Sequence, residues 1–235
     1  QKFTHYPATF NEKIVSICPL SEQELLVSCY QKGLFRFNKK SGALTPFALP
    51  NPTAEQEMKD VGIPVNLWTT PNGDIEMSGK VTYRYSPASR RLTRLQPNFE
   101  TRSSWTPIGT YNGYNVLFDR ANIFMHNPQT DEFKSIISME AKQMLAAEVN
   151  KDGKLWVSTT EGVECHDLNK GYMEHIFLPN KNDIITSIIV SNDGTVWMGS
   201  MSGIYAYNPQ LKHFMLYTEM DGVMPNDFLA KPTLL

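Results

Sequence analysis

His126 and His166 stand 40 residues apart, and an Asp-Gly pair recurs at Asp152-Gly153 and Asp193-Gly194 with tryptophan, serine and tyrosine close behind it. Paired imidazoles can hold zinc, and paired carboxylates can hydrolyse a glycosidic bond. The spacing argues against both uses. Every one of these residues recurs at one period of about 40 residues, so the period, and not a site, sets their separation. No G-x-S-x-G elbow and no H-E-x-x-H pair occurs, and five scattered histidines define no Ser-His-Asp grouping. The expectation is no catalytic residue, no metal and no cofactor.

The period itself is plain. Asn72-Gly73, Asn112-Gly113, Asp152-Gly153 and Asp193-Gly194 follow one another at intervals of 40, 40 and 41 residues. Each pair can supply the positive φ angles of a two-residue type I′ hairpin turn. After each turn comes a short strand ("IEMSG", "NVLF", "LWVST", "VWMGS") and then a second ("VTYRY", "NIFMH", "GVECH", "GIYAY"), which sets Tyr85, His126, His166 and Tyr207 in one register. A polar turn and a short outer strand complete each unit. An earlier copy runs through "KIVSICPL", "ELLVSCY" and "GLFRF", and its extra residues fall in "PNPTAEQEMKD", which reads as an enlarged loop. The segment "SMEAKQMLAAEV" has helix-forming composition, yet its second half coincides with the first strand of the repeat, so a strand is expected there.

Units of about 40 residues with four short strands each predict an all-β fold, a β-propeller of four-stranded antiparallel blades. Five complete blades fall at about 11–50, 61–100, 103–140, 143–181 and 184–221, with partial-blade strands at 2–6 and 225–235. The expectation is one propeller domain over 1–235, or part of a longer one of the seven-bladed type, whose open edges would favour self-association as a homodimer.

Composition narrows the partners. The 235 residues carry 22 Lys+Arg against 24 Asp+Glu, a net charge of −2, with no basic run. Nucleic acid is not expected as a partner, nor direct contact with a membrane. No apolar run approaches the roughly 20 residues of a membrane span. Cys18, Cys29 and Cys165 are too few for a disulfide framework. In a hairpin, Cys18 and Cys29 would lie roughly 17 Å apart at about 3.3 Å per residue, beyond bridging distance.

The unit "DGTVWMGSMSGIYAYNP" resembles the two-component regulator propeller repeat, whose usual form is D-x-x-G-x-L-W-x-G-T-x-x-G-L-x-x-Y-D/N-P. Asp193, Gly194, Trp197, Gly199, Ser200, Gly203, Tyr207, Asn208 and Pro209 match, with Ser200 in place of Thr and a tighter Asp-Gly turn. The copy at Asp152 keeps Gly153, Trp156, Thr159 and Gly162 but has Ser158 for the first glycine. The copies at Asn72 and Asn112 lack the Trp. "EMDGVMPNDFLAKPTLL" is similar to a D-G-L-P-x-N-x-F segment near the end of such propellers. The resemblance implies the periplasmic sensor region of a hybrid two-component histidine kinase of the kind found in gut Bacteroidetes, responding to glycan breakdown products without catalysis. Sialidases carry an Asp-box similar to "SNDGTVW", but that box places a residue between its Asp and Gly, and it is itself a structural turn. A glycoside hydrolase or lyase, and a protein-interaction platform, stand as the alternatives.

Propeller ligands sit at the mouth of the channel, on loops that enter the innermost strands and loops that join second to third strands. The entering loops offer Lys59, Arg102, Trp105, Asn182 and Asn226, and the joining loops offer Tyr30, Arg120 and Glu161. Trp68 and Trp105 lie off the repeat's Trp register and are candidates for stacking on a sugar ring. Aromatic, cationic and amide groups together suit an oligosaccharide. The motif residues themselves should be structural, with Trp156 and Trp197 filling the space between neighbouring blades.

Overall fold

A chain that alternates short β-rich runs with Gly-containing turns has one cheap way to satisfy its backbone, which is to pair each run with the next. The computed structural model describes residues 13–30, 32–61, 66–101, 104–119, 121–138 and 143–223. Within them lie five four-stranded antiparallel sheets, each in simple sequential order. The first sheet comprises β1–β4 (Ile14–Pro19, Glu24–Cys29, Gly33–Asn38, Leu44–Pro46) and the second β5–β8 (Asn66–Thr69, Ile75–Ser78, Thr82–Ser86, Arg91–Leu95). The third comprises β9–β12 (Thr106–Tyr111, Tyr114–Phe118, Asn122–His126, Phe133–Ser138). The fourth contains β13–β16 (Met144–Val149, Lys154–Thr159, Gly162–Asp167, Tyr172–Ile176) and the fifth β17–β20 (Ser187–Val190, Val196–Ser200, Gly203–Asn208, His213–Tyr217). The all-β, four-stranded-blade architecture is the one the repeat implies, and the segment ending in "MLAAEV" is a strand, as its place in the repeat requires. The partial-blade strands at 2–6 and 225–235 lie outside the described residues.

Two features differ from the sequence reading. The enlarged loop after the first sheet holds a ten-residue helix, α1 (Pro52–Val61). Asn51 caps it, accepting from the backbone N–H of Thr53 at 3.0 Å and of Ala54 at 3.4 Å. Pro52 takes the first helical position, where a missing N–H costs nothing. The repeated hairpin turn is also not one turn four times. Only Asn112-Gly113 has positive φ at both positions, 49° and 81°. At the other three copies glycine alone has positive φ, and the loops close between Thr70 and Asp74, Asn150 and Lys154, and Ser191 and Thr195. These are three-residue connections, a tight turn followed by a left-handed glycine. The side chains share the work differently as well. Asp193 accepts from the N–H of Thr195, whereas beside Asp152 it is Asn150 that accepts from the N–H groups of Asp152 and Lys154.

The chain divides into two compact units, one of residues 1–107 with 128–133 and one of 108–127 with 134–235. In the first unit a core of Cys18, Leu26, Leu34, Leu67, Ile75, Met77, Tyr83 and Tyr85 joins the first two sheets and takes in Ala54 of α1. β5 is tied to β1 by the Leu67 N–H, which donates to Ser16 Oγ at 3.0 Å. In the second unit one core lies between the third and fourth sheets and another between the fourth and fifth, around Trp156, Ile188, Val196, Met198, Tyr205 and Tyr207. Cys18, Cys29 and Cys165 are free thiols, and burial pushes Cys18 up to about 12 and Cys165 to about 11.

The motif residues do structural work. Trp156, only 3% exposed, meets Tyr207 of the next sheet edge-to-face. Trp197, in the same register one sheet later, is 37% exposed and stacks on Tyr217 of its own sheet. Ser158, standing where the motif has glycine, uses its hydroxyl to bind the carbonyl of Ile185 at 2.6 Å and so fastens the fourth sheet to the segment leading into β17.

Candidate functional site

In an antiparallel blade the start of the first strand and the loop between the second and third strands lie at the same edge. In the second unit that edge is built around Asp183, just before β17. Its Oδ1 accepts from Ser202 Oγ at 2.6 Å and from Asn180 Nδ2 at 2.9 Å, and its Oδ2 accepts from the hydroxyl of Tyr205. Tyr205 is buried on β19, and burial followed by the Asp183 carboxylate pushes its hydroxyl up to about 12, so it remains a donor at every physiological pH. One carboxylate thus ties the entering loop to the β18–β19 loop. The loop stands with Asn182 and Ile184 facing solvent, and Met201 protrudes beside Ser202.

The first unit repeats the device with other residues. Tyr83, equivalent to Tyr205, donates its hydroxyl to Glu57 of α1, and Arg94 Nη1 reaches the other oxygen of Glu57 at 3.2 Å. Burial and the carboxylate push Tyr83 up to about 12. Helix α1 is therefore moored to its sheet in the way the loop before β17 is moored to its own.

Of the residues singled out in the sequence, Asn182 and Glu161 stand exposed at this edge of the fifth and fourth sheets, and Tyr30 is exposed at the corresponding edge of the first. Lys59 falls on helix α1. Arg102, Arg120 and Asn226 lie outside the described residues. Trp68 and Trp105 are core residues, 4% and 3% exposed, and offer no face for a sugar ring to stack on. Trp105 packs edge-to-face on Phe133, and its backbone N–H donates to Ser78 Oγ at 2.7 Å. Their aromatic surface is used for burial, which contributes more than half-exposed stacking would.

Three groupings escaped the sequence reading. Glu76, Arg84 and Asp131 form an ion triad in the first unit, with Arg84 Nη2 3.1 Å from Glu76 and Nη1 2.7 Å from Asp131. Glu164 is buried on β15 and meets His166 Nε2 at 3.0 Å and His175 Nδ1 at 3.8 Å. Glu148 is half-buried on β13. Glu76, Glu148 and Glu164 depart from the apolar or aromatic residues that other copies of the repeat carry at the same place, and that departure was the available signal, whereas Arg84 shares its register with Arg36 of the first sheet. Among the described residues no set of three or more His, Cys, Asp and Glu side chains is arranged to hold a metal ion. What the edge presents is an amide at Asn182, a carboxylate at Glu161 and apolar surface at Ile184 and Met201.

The Tyr205 anchor has a measurable weight. Tyr205→Phe should cost about 1 kcal/mol in denaturant unfolding, and leave a carboxylate short of one donor. Amide exchange in residues 180–186 should speed up while that of β14 does not change.

No protein-family model matches the chain, and no curated protein matches it. Solved structures do. The extracellular domain assigned to one hybrid two component system of B. thetaiotaomicron matches with a TM-score of 0.65 and 18% identity over 88% of this chain and 30% of its own length. A second such domain from B. thetaiotaomicron matches at 0.60 and 17% over 87% of this chain and 28% of its own. A catalytically inactive virginiamycin B lyase from Staphylococcus aureus with quinupristin matches at 0.63 and 15% over 90% and 71%. Extracellular domains of two-component systems and a lyase share this architecture, so the likeness establishes the propeller-type fold. The chain spans less than a third of the length of the two-component domains it matches.

Proposed function

We propose that this chain is a ligand-sensing part of the extracytoplasmic region of a hybrid two-component sensor histidine kinase, located in the periplasm and responsive to an oligosaccharide from glycan breakdown. The observation that carries the proposal is the conjunction of the regulator-type repeat in the last two sheets with likeness to extracellular two-component domains over 87–88% of the chain. The loop edge bearing Glu161, Asn182, Ile184 and Met201 is the binding surface in this reading. Binding shifts the balance between two arrangements of the domain, or of a homodimer of it, and the chain performs no catalysis.

A ligand that binds only the folded state stabilises it by mass action, by about 2.7 kcal/mol at 100 times its Kd. For a domain of this size that is roughly 5–10 °C in Tm. A panel of oligosaccharides should therefore contain one that gives a saturable shift of this order, reduced in Asn182→Ala and Glu161→Ala. A panel without any shift removes the sugar-sensor reading, and a shift untouched by both variants moves the site elsewhere.

The second reading is a lyase. It is favoured by one observation, that the chain covers 71% of virginiamycin B lyase, a larger share than of any two-component domain above. Turnover of quinupristin or of a glycan by the purified chain would establish it over the sensor.

A further inference from the structure

Glu148 occupies a position whose neighbours make its charge costly. It lies on the innermost strand of the fourth sheet, directly across from Trp156. The register-equivalent positions are Cys18 across from Leu26, Trp68 across from Glu76, and Ile189 across from Trp197. A tryptophan and a glutamate therefore face each other in both the second and fourth sheets, with the two residues exchanged between strands.

The exchange leaves the two carboxylates in different circumstances. In the second sheet the third strand supplies Arg84, which binds Glu76 through Nε at 3.2 Å and Nη2 at 3.1 Å. The counterpart of Arg84 in the fourth sheet is Cys165, across from Trp156. A half-buried thiol offers no cation. Glu148 lies on the face that carries Ala146 and Trp156, at the margin of the apolar core shared with Ile185, Ile188, Val196 and Met198.

The ionisable groups around that face are few. Among the described residues, register places Lys154, Cys165, Asp167 and Glu174 of its own sheet on that face, and the fifth sheet adds Tyr205 and Tyr207 from the shared core and Lys212, which reaches Glu174. Lys154 is bound to Asp167 at 2.7 Å and Lys212 to Glu174 at 2.6 Å, while Tyr205 is bound to Asp183. β17, the strand laid against β13, carries Ser-Ile-Ile-Val and no ionisable group. With no charge to oppose it, burial alone raises the Glu148 carboxyl from its ordinary range to about 7.

We propose that Glu148 makes the packing of the fifth sheet on the fourth responsive to protons, tight when the carboxyl is protonated and loosened when it ionises. The sign follows from linkage. The packed state keeps the proton to higher pH than an opened state with an ordinary carboxyl, so packing weakens as pH rises from about 4.5 to about 7 and is level above. The device goes beyond the ligand-sensing reading and does not depend on it, since it requires only the contact between these two sheets.

The test is native-state amide exchange in β17, Ile188 to Val190, on the purified full chain between pH 5.5 and 8, corrected for intrinsic exchange rates. The opening constant should be roughly 10- to 30-fold larger at pH 8 than at pH 5.5. Glu148→Gln, which keeps size and hydrogen bonding but cannot ionise, should abolish that dependence, as should Glu148→Ile, the residue of the fifth sheet. Asp167→Asn should retain it. A pH dependence that survives in either Glu148 variant, or an opening constant in the native chain that does not change with pH, overturns the proposal.

Discussion

Arg84→Met should cost about 3–5 kcal/mol in stability, roughly 10 °C in Tm, because it takes away the guanidinium that answers a carboxylate with no solvent exposure. Water cannot replace it at Glu76, and the desolvation of that charge has already occurred on folding. Arg84→Lys should recover only part, since a single ammonium cannot reproduce contacts from Nε and Nη2 to Glu76 together with one from Nη1 to Asp131. Asp131→Asn should cost less than 1 kcal/mol, as its side chain is 47% exposed and well screened. The decisive variant is the double one. Replacing both partners by Met leaves no buried charge and should restore most of the loss, giving a coupling of 2 kcal/mol or more, roughly, in a double-mutant cycle by urea unfolding. Additive losses would mean that the pair is not a unit.

A period of 40 residues survives because hairpin closure needs glycine and strands need β-branched or aromatic residues in alternation, whatever else the chain does. Asn112-Gly113 and the glycines at 73, 153 and 194 are visible on those grounds alone. The turn type was not visible, because it depends on one further backbone hydrogen bond, such as Asn150 N–H to the carbonyl of Lys154. Helix α1 announced itself weakly through Asn51-Pro52, a capping signal that a long polar insertion concealed.

The candidate site was less legible for a physical reason. A tryptophan near a loop reads the same whether its ring is outside or inside, and Trp68 and Trp105 are inside, 4% and 3% exposed. In the sequence Asp183 is one acid among many, and only the fold brings Tyr205, Ser202 and Asn180 to converge on it. Departures from the repeat carry more information than matches to it. Glu76, Glu148 and Glu164 each stand where another copy of the unit puts an apolar or aromatic side chain.

Matches to the motif instead report on packing, and Gly203 is the sharpest case. It opens β19 with φ of +136°, a conformation that L side chains rarely adopt. A Cβ added there would lie 2.2 Å from the carbonyl oxygen of Tyr217 and 3.4 Å from Leu216 Cδ1. The first of these is backbone and cannot rotate away. Ile204 pairs with Tyr217, so Gly203→Ala must push the end of β20 off β19 and also strain φ. A loss of about 3–5 kcal/mol is expected, more than any cavity-free surface change in this sheet should give. Gly162 supplies the control, since it begins β15 with φ of +132° but has nothing within 4 Å of an added Cβ. Gly162→Ala should cost only the backbone strain, about 1–2 kcal/mol. Unfolding by urea measures both, and Trp197, stacked on Tyr217, should report the local displacement in Gly203→Ala by a change in its fluorescence that Gly162→Ala leaves absent. Equal losses in the two variants would assign the motif glycine to backbone conformation alone and not to close approach of the outer strand.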